Sequence, residues 1–532
     1  MYGNNMLILK NIYLIIIKNL SLVSIDLIKF LYKEFSSNLF KKIFFLKQAN
    51  KKKGQILFDN FEVIDHFAYR YVVLKNIANI FNLKLKYFNL GYNLIYFLIY
   101  SSLGASNISF FLFKIRNKFL IKKVYLEQII KIRSKKDLFN YKFKGLNIGW
   151  DIYESYLRKS YKSTIDINDK KFQKLFHEGH QIYLFWENYL KKNNVKFIMT
   201  SHRMYIETNI LNRLALKKKI PIITLAGDGH GMMKFSTTKL SVHKYYKKLF
   251  NTLKFKEKSR AIKFAKSRLL LRLSGRVGVD MSYSTKSAFS GKVKFSKYKF
   301  SKNKTNVLIC PHDFFDNPHP YGKNMFTDFY EWLIFLSNIS HKTDYNWYIK
   351  LHPDYHPATM ETILEINKKF KNIKLINPKT KFNQISHGID FALTTHGSVG
   401  HELPLLGITV INCDYNNPHC AYKFNITPKN INDYRNKISN LDDKAKIKIN
   451  KNEIYQFYYM NYYFMKTNLL NSLNKKKYKY PWVSFLRFTQ EMYLSSKLKN
   501  DNNKIENFVL SKNSKYFDNK KLEEKFSRIC NL

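Results

Sequence analysis

The sequence predicts an α/β protein with two parallel-sheet domains, and three observations predict it. From residue 305 onward, short apolar β-rich runs alternate with segments of helical period, which is the pattern of a parallel sheet covered on both faces. A similar rhythm closes the first half of the chain, before a basic stretch at about 240 to 300. The 532 residues also exceed what one core usually supports, while the 45% hydrophobic and 16% aromatic shares provide material for two.

In the second half, "TNVLIC" (305–310) reads as a strand and "MFTDFYEWLIFLSNI" (325–339) repeats its apolar residues at helical spacing. Then come "NWYIKL" (346–351), a helix around 358–370, and the strands "IKLI" (373–376), "DFALTT" (390–395) and "ITVIN" (408–412). In the first half, "FQKLFHEGHQIYLFWENYLKK" (172–192) is a long helix. The strand "VKFIMTS" (195–201), the helix at 203–219 and the strand "IPIITLAGDGHG" (220–231), which runs into a glycine-rich loop, follow it. These units predict two Rossmann-like domains facing a cleft, with extra peripheral helices. The expected boundaries are 1–240 for the first domain, 241–300 for a basic helical linker, 301–480 for the second domain and 481–532 for a basic tail.

Net charge is +54, from 92 Lys and Arg against 38 Asp and Glu. The basic residues are spread along the chain, and the composition is rich in the Lys, Asn, Ile, Phe and Tyr that A/T-rich codons specify. Attraction to an anionic membrane or substrate is therefore expected, and nucleic acid is not. Four cysteines without a C-x-x-C form neither a disulfide framework nor a zinc knuckle, which fits a reducing cytoplasm. The apolar "IYLIII" (12–17) is bracketed by Lys10 and Lys18 and is followed by no cleavage site, so a signal peptide is not expected. Residues 87–113 are uncharged and long enough to span a membrane. Their central Ser101, Ser102, Gly104, Ser106 and Asn107 favour a buried helix, turn and strand, with peripheral membrane association as the alternative.

Ligands of open parallel sheets bind beyond the carboxyl ends of the strands, so the loops after the strands carry the candidate site. "THGSVGHE" follows the strand at 390–395. Gly397 and Gly400 permit close backbone approach, Ser398 can cap the next helix, and the helix start after Thr395 and His396 suits a phosphate. Glu402, one turn on, is placed to accept hydrogen bonds from ribose hydroxyls; Pro404 requires that helix to be short or bent. "KLHPDYH" puts Lys350 and His352 on one side of a strand end, within reach of a phosphate. "PHDFFDNPHPYG" adds His312, Asp313, Asp316 and His319, whose spacing matches no zinc or calcium pattern and which are expected to line the same pocket. In the first half, "AGDGHG" offers Asp228 or His230 to take a proton from an acceptor hydroxyl. The P-loop, the G-x-G-x-x-G fingerprint and the G-x-S-x-G elbow do not occur.

Taken together, "VLICPHDFFDNPHPYGKNMFTDFYEWL", "WYIKLHPDYH" and "ALTTHGSVGHELPLLGITVIN" resemble the C-terminal domain of glycosyltransferase-B (GT-B) type proteins of bacterial capsule and surface-polysaccharide biosynthesis. "TSHRMYIETNILNRLALKKKIPIITLAGDGHG" is similar to the end of their N-terminal domain. The resemblance covers roughly residues 195–425. It implies a nucleotide sugar held by the C-terminal domain, a glycan or lipid-linked acceptor held by the N-terminal one, no metal or other cofactor, and a cytoplasmic location that includes the inner face of the membrane. Related sialyl and Kdo transferases use an acidic "D/E-D/E-G" base, an "HP" element and a serine or threonine element at the donor phosphate. The resemblance thus suggests Asp228 as base, with His352 and Ser398 at the phosphate. Gly227 stands where a second acid is expected, which keeps His230 in competition. A nucleotide-sugar 2-epimerase, a CDP-polyol phosphotransferase and a non-catalytic polysaccharide-assembly or membrane-docking protein are the alternatives.

Overall fold

A computed structural model of the chain describes residues 54–59, 74, 78, 82–88, 105–224, 233–234, 242–281, 284–291, 300–322 and 324–464. Two sheets organise it. The first contains β1 (Gly54–Asp59), β2 (Leu83–Phe88), β3 (Ser106–Ile108), β4 (Val195–Thr200), β5 (Ile222–Thr224) and β6 (Met233–Lys234), in the order β3-β2-β1-β4-β5-β6. All pairs are parallel except β5 with β6. The second contains β7 (Asn306–Ile309), β8 (Asn346–Lys350), β9 (Ile373–Ile376), β10 (Phe391–Thr394) and β11 (Thr409–Asn412), wholly parallel, in the order β11-β10-β7-β8-β9. Counted within its own sheet, the first order is 3-2-1-4-5-6 and the second 3-2-1-4-5, the doubly wound arrangement. The chain therefore has two Rossmann-like α/β halves.

Helices cover both sheets. In the first half these are α1 (Phe110–Arg116), α2 (Lys118–Ile129), α3 (Gly149–Ser160), α4 (Lys170–Lys192) and α5 (Ile210–Lys217). α4 starts where Asp169 accepts the Lys171 amide and ends on Lys191 and Lys192, charges that suit each end of a helix dipole. Its apolar stripe, including Phe172, Phe176, Tyr183 and Trp186, joins Ile152, Tyr153 and Tyr156 of α3 in one core. The second half holds α6 (Phe255–Leu273), α7 (Phe329–Ser340), α8 (Pro357–Lys369), α9 (Val399–Glu402) and α10 (Lys451–Tyr459). Strands β7, β8 and β10 are apolar on both faces because helices cover both; Val307 and Ile309 point to one core, Leu308 to the other. α8 begins with Pro357 in its first turn and His356 as its cap.

Two expectations from sequence look different in place, and a third lies largely outside the described residues. Residues 203–219 are not one α-helix but a π-helical turn, Tyr205–Asn209, leading into α5. Part of the expected linker is α6, which packs with α10 around Ala261, Leu269, Ile454 and Phe457, so it belongs to a core of its own. Of residues 87–113, the end of β2, strand β3 and the start of α1 are described, and positions 89–104 lie outside the described residues. No helix among the described residues is long and apolar enough to cross a membrane.

Candidate functional site

In a doubly wound sheet, the crevice for a ligand opens between the strands where the winding reverses direction. In the second sheet that point lies between β7 and β10, whose ends are stitched by Cys310 N–H donating to Leu393 O at 2.8 Å. In the first it lies between β1 and β4. The loops beyond both points, Ser201–Tyr205 on one side and Cys310–Asp316 and Thr394–Ser398 on the other, line a single cleft of about 1160 Å³ between the halves.

The C-terminal wall carries most of the residues expected at a donor. His312, Asp316, Lys350, His352, His396, Gly397 and Ser398 line the cleft; Thr395, Gly400 and Glu402 do not. The His312 and His396 rings lie 4.3 Å apart between centroids, and His312 also stacks on Phe329 at 5.0 Å. Both imidazoles are held below the usual histidine range by burial, His396 strongly so, and therefore stay neutral near pH 7. Four buried atoms of this pair of loops, His312 Nε2, Thr394 Oγ1, Thr395 Oγ1 and His396 Nδ1, find no hydrogen-bond partner among the described residues. Buried polar atoms are normally satisfied, so such a concentration marks a place where a polar ligand would complete the bonding. Gly397 sits against two of them: a Cβ there would lie 3.2 Å from Thr394 Oγ1 and 3.4 Å from His312 Nε2.

His352 is exposed in the cleft wall. Its Nδ1 accepts the Asp354 amide at 3.1 Å, which fixes the neutral tautomer with the proton on Nε2. The crowded walls of the cleft, first by desolvation, hold its pKa down. Asp354 in turn accepts from the Thr285 and Lys286 amides at 2.7 and 2.8 Å. Asp313 is structural: it accepts the His356 amide and the Thr359 hydroxyl and so ties the β7 loop to the start of α8.

Several expected roles need correction. Lys350 is fully buried; its Nζ donates to Leu351 O and Pro378 O at 3.3 and 3.1 Å and lies 4.6 Å over the Phe382 ring, so its ammonium is already engaged. Burial lowers its pKa to about 8. Glu402, expected to face ribose hydroxyls, is buried against Arg272 of α6, and its other oxygen accepts from Ser398 Oγ at 3.3 Å. Gly400 faces the His419 ring rather than the cleft; a Cβ would stand 2.4 Å from it. The helix after Ser398 is short, as Pro404 requires, a single turn that passes into a 3₁₀ turn at Leu403–Leu406; the cap expected of Ser398 is what differs, since its side chain makes no cap bond. Asp228 and His230 lie outside the described residues.

The N-terminal wall brings residues to which sequence reasoning gave no role. Ser155 and Arg158 come from α3, and His202, Arg203 and Tyr205 from the loop after β4. Only the latter carried a signal, since "SHRMY" directly follows a predicted strand. Tyr205 holds φ at +67°, in the left-handed region that a bulky residue rarely adopts. At the end of β1 buried Asp59 accepts the Ser201 amide through both oxygens, at 3.0 and 2.9 Å, and the Ser201 hydroxyl as well. With the Ser201 proton committed to Asp59, the 2.7 Å contact between Ser201 Oγ and His202 Nδ1 requires the imidazole to donate, which leaves Nε2 as its basic nitrogen. Arg203, in the same loop, is pulled below its ordinary pKa by burial.

No family model matches the chain, and no curated protein matches it. Among solved structures, the chain is similar to the beta Kdo 2,4 transferase KpsC of Thermosulfurimonas dismutans, with a TM-score of 0.29 and 14% identity over 50% of this chain and 79% of that one. UDP-GlcNAc 2-epimerase of Neisseria meningitidis, solved with UDP-GlcNAc bound, gives a TM-score of 0.25 and 12% identity over 76% of this chain and 96% of that one. A glycosyltransferase of Rickettsia africae gives a TM-score of 0.24 and 11% identity over 85% of this chain and 100% of that one.

Proposed function

We propose that the chain is a glycosyltransferase of the GT-B type that moves a sugar from a nucleotide-activated donor to a surface glycan or lipid-linked acceptor, without a catalytic metal. The observation that carries this reading is the set of unpartnered buried atoms on the cleft-lining His312, Thr394 and His396 at the reversal point of the second sheet. A donor diphosphate or phosphate supplies acceptor oxygens for the N–H and O–H groups among these atoms. In the reaction, the acceptor hydroxyl oxygen bonds to the anomeric carbon as the bond from that carbon to the donor phosphate breaks. Negative charge grows on the departing phosphate, and neutral imidazole N–H groups with fixed positions, His352 Nε2 first, stabilise it in a cleft that restricts water.

The acceptor proton goes to a base on the N-terminal side. Asp228 and His230 keep that role as proposals from sequence, and the Asp59, Ser201, His202 series adds His202 Nε2 as a third candidate. An imidazole oriented through its Nδ1–H is well suited to take a hydroxyl proton.

Thermal-shift and calorimetric titrations with UDP, GDP, ADP, CMP, CDP and dTDP, each with and without EDTA, test the donor site. One nucleotide at about a hundred times its Kd raises stability by about 2.7 kcal/mol, a shift of a few degrees. An EDTA-insensitive shift by a single nucleotide that disappears in His312→Ala supports the reading; no shift with any nucleotide overturns it. Product analysis then separates transfer from epimerisation, which would release an altered free sugar. Among Asp228→Asn, His230→Gln and His202→Gln, the base is the one that lowers kcat by about 10²-fold or more while donor affinity stays unchanged.

A further inference from the structure

Helices α1 and α2 break the rule that a surface helix hides its apolar side chains. The inward face of α2 is ordinary: Ile121 is buried, and Val124, Tyr125 and Ile129 pack on the core beside α4, with Tyr125 edge-on to His177 at 5.0 Å. The outward face is also apolar. Phe119 is 86% exposed and Ile130 70%, with Leu126 about half exposed between them. Positions 119, 126 and 130 are seven and four residues apart, which puts them on one stripe at 3.6 residues per turn. Phe111, Leu112 and Ile115 of α1 extend the exposed apolar surface. Isolated exposed apolar residues are unremarkable, but a set of this size on two consecutive helices joined through Asn117 marks a docking surface.

Charge identifies the partner. Residues 110–131 hold Lys114, Arg116, Lys118, Lys122, Lys123 and Lys131 against a single acid, Glu127. Lys122 and Lys123 are exposed beside the apolar stripe itself. A cationic apolar face suits a surface that is anionic at its rim and apolar beneath, which is a lipid bilayer carrying anionic headgroups. A second copy would set two like-charged faces against each other. The terminal segments 1–53 and 465–532 are themselves rich in lysine, so they are equally poor partners by charge. A nucleic acid would satisfy the cations and leave Phe119 and Ile130 unrewarded.

We propose that the outward face of α1 and α2 docks on an anionic bilayer, with Phe119, Leu126 and Ile130 entering the headgroup boundary and the flanking lysines resting on lipid phosphates. This inference is independent of the transferase reading. The test is flotation of the full chain with phosphatidylcholine vesicles, with and without phosphatidylglycerol, at low and high salt. Expected are flotation with the anionic vesicles only and weakening by salt. Phe119→Ser/Ile130→Ser and Lys122→Glu/Lys123→Glu should each lower vesicle affinity by about tenfold or more. Because these positions are exposed, both variants should keep the wild-type circular dichroism and Tm. Failure of the wild-type chain to float overturns the proposal, as does unchanged flotation of both variants, which would move the contact to another segment. A solution dimer dissolved by Phe119→Ser/Ile130→Ser, or DNA binding lost with the lysines and insensitive to the apolar changes, would assign the face to those partners instead.

Discussion

Arg272 of α6 and Glu402 of α9 form a buried ion pair, with Arg272 Nε at 3.0 Å from Glu402 Oε1 and Arg272 Nη1 donating to Val279 O at 2.7 Å. The pair couples the helix that leads into the second domain to the loop that carries His396, Gly397 and Ser398. Glu402 therefore acts on that loop from behind, and Ser398 reaches back to it.

Removing one partner of such a pair leaves an uncompensated charge in the interior. Arg272→Ala is expected to cost about 3–5 kcal/mol of stability in urea unfolding, and Arg272→Met/Glu402→Met to recover a large part of that loss. A double variant as unstable as the two single losses added together would show that the two side chains act separately.

The two glycines of the same loop should respond differently to a methyl group. In Gly397→Ala the new Cβ crowds Thr394 Oγ1 and His312 Nε2, tight contacts that a small shift relieves. Stability should change by less than about 1 kcal/mol, while nucleotide affinity falls about tenfold or more. In Gly400→Ala the Cβ meets the buried His419 ring at 2.4 Å and Asn425 Nδ2 at 3.2 Å, so a loss of about 1–3 kcal/mol is expected. Urea midpoints and nucleotide titrations on the two variants distinguish these outcomes.

Most of this loop's position was legible in the sequence, and much of its detail was not. The strands of the second half and the loop at 395–402 follow from alternating apolar runs, because the strands of a doubly covered parallel sheet are apolar throughout; their order in the sheet comes from the structure. The β1 run "GQILFD" and the β2 run "LKLKYF" went unread: each is short, and the second alternates lysines with apolar residues. Asp59 and the relay through Ser201 to His202 depend on the pairing of β1 with β4, residues more than a hundred positions apart. The partners of Lys350 and Glu402 were hidden for the same reason. A charged residue at a strand end or loop looks like a ligand group until the tertiary fold shows Pro378 O or Arg272 beside it.

Lys350 gives the stability a definite pH dependence. Its pKa is about 8 in the folded protein, lowered from 10.5 by burial. Below pH 8 both states carry the proton, and the buried charge costs about 3 kcal/mol. Between about pH 8 and 10.5 the unfolded chain keeps a proton that the folded chain has released, so this cost is relieved as pH rises. Lys350→Met removes the effect. Its stability at pH 7 should equal or exceed wild type, and the difference between the two proteins should shrink as pH rises towards 10.5. Parallel urea titrations of both proteins across this range check it; a constant difference would mean that Lys350 does not titrate there.

Asp328 ties the halves together. Its Oδ1 accepts the Glu331 amide at 2.7 Å as the cap of α7. Its Oδ2 takes Lys135 Nζ at 2.6 Å, Thr164 Oγ1 at 2.9 Å and the Tyr153 hydroxyl of α3. Nearby, Glu154 of α3 binds His319 and Asn317, so α3 holds the later part of the loop that begins with His312. Asp328→Asn retains a side chain that caps well but loses the charge opposite Lys135. Its stability cost should be about 1–3 kcal/mol, below that of Asp328→Ala, which also loses the cap. Hydrogen exchange of residues 311–328 should quicken in both variants, and nucleotide affinity should fall with it, since the His312 ring is positioned by that loop. Unchanged exchange there, together with unchanged affinity, would show that the loop keeps its place without α3.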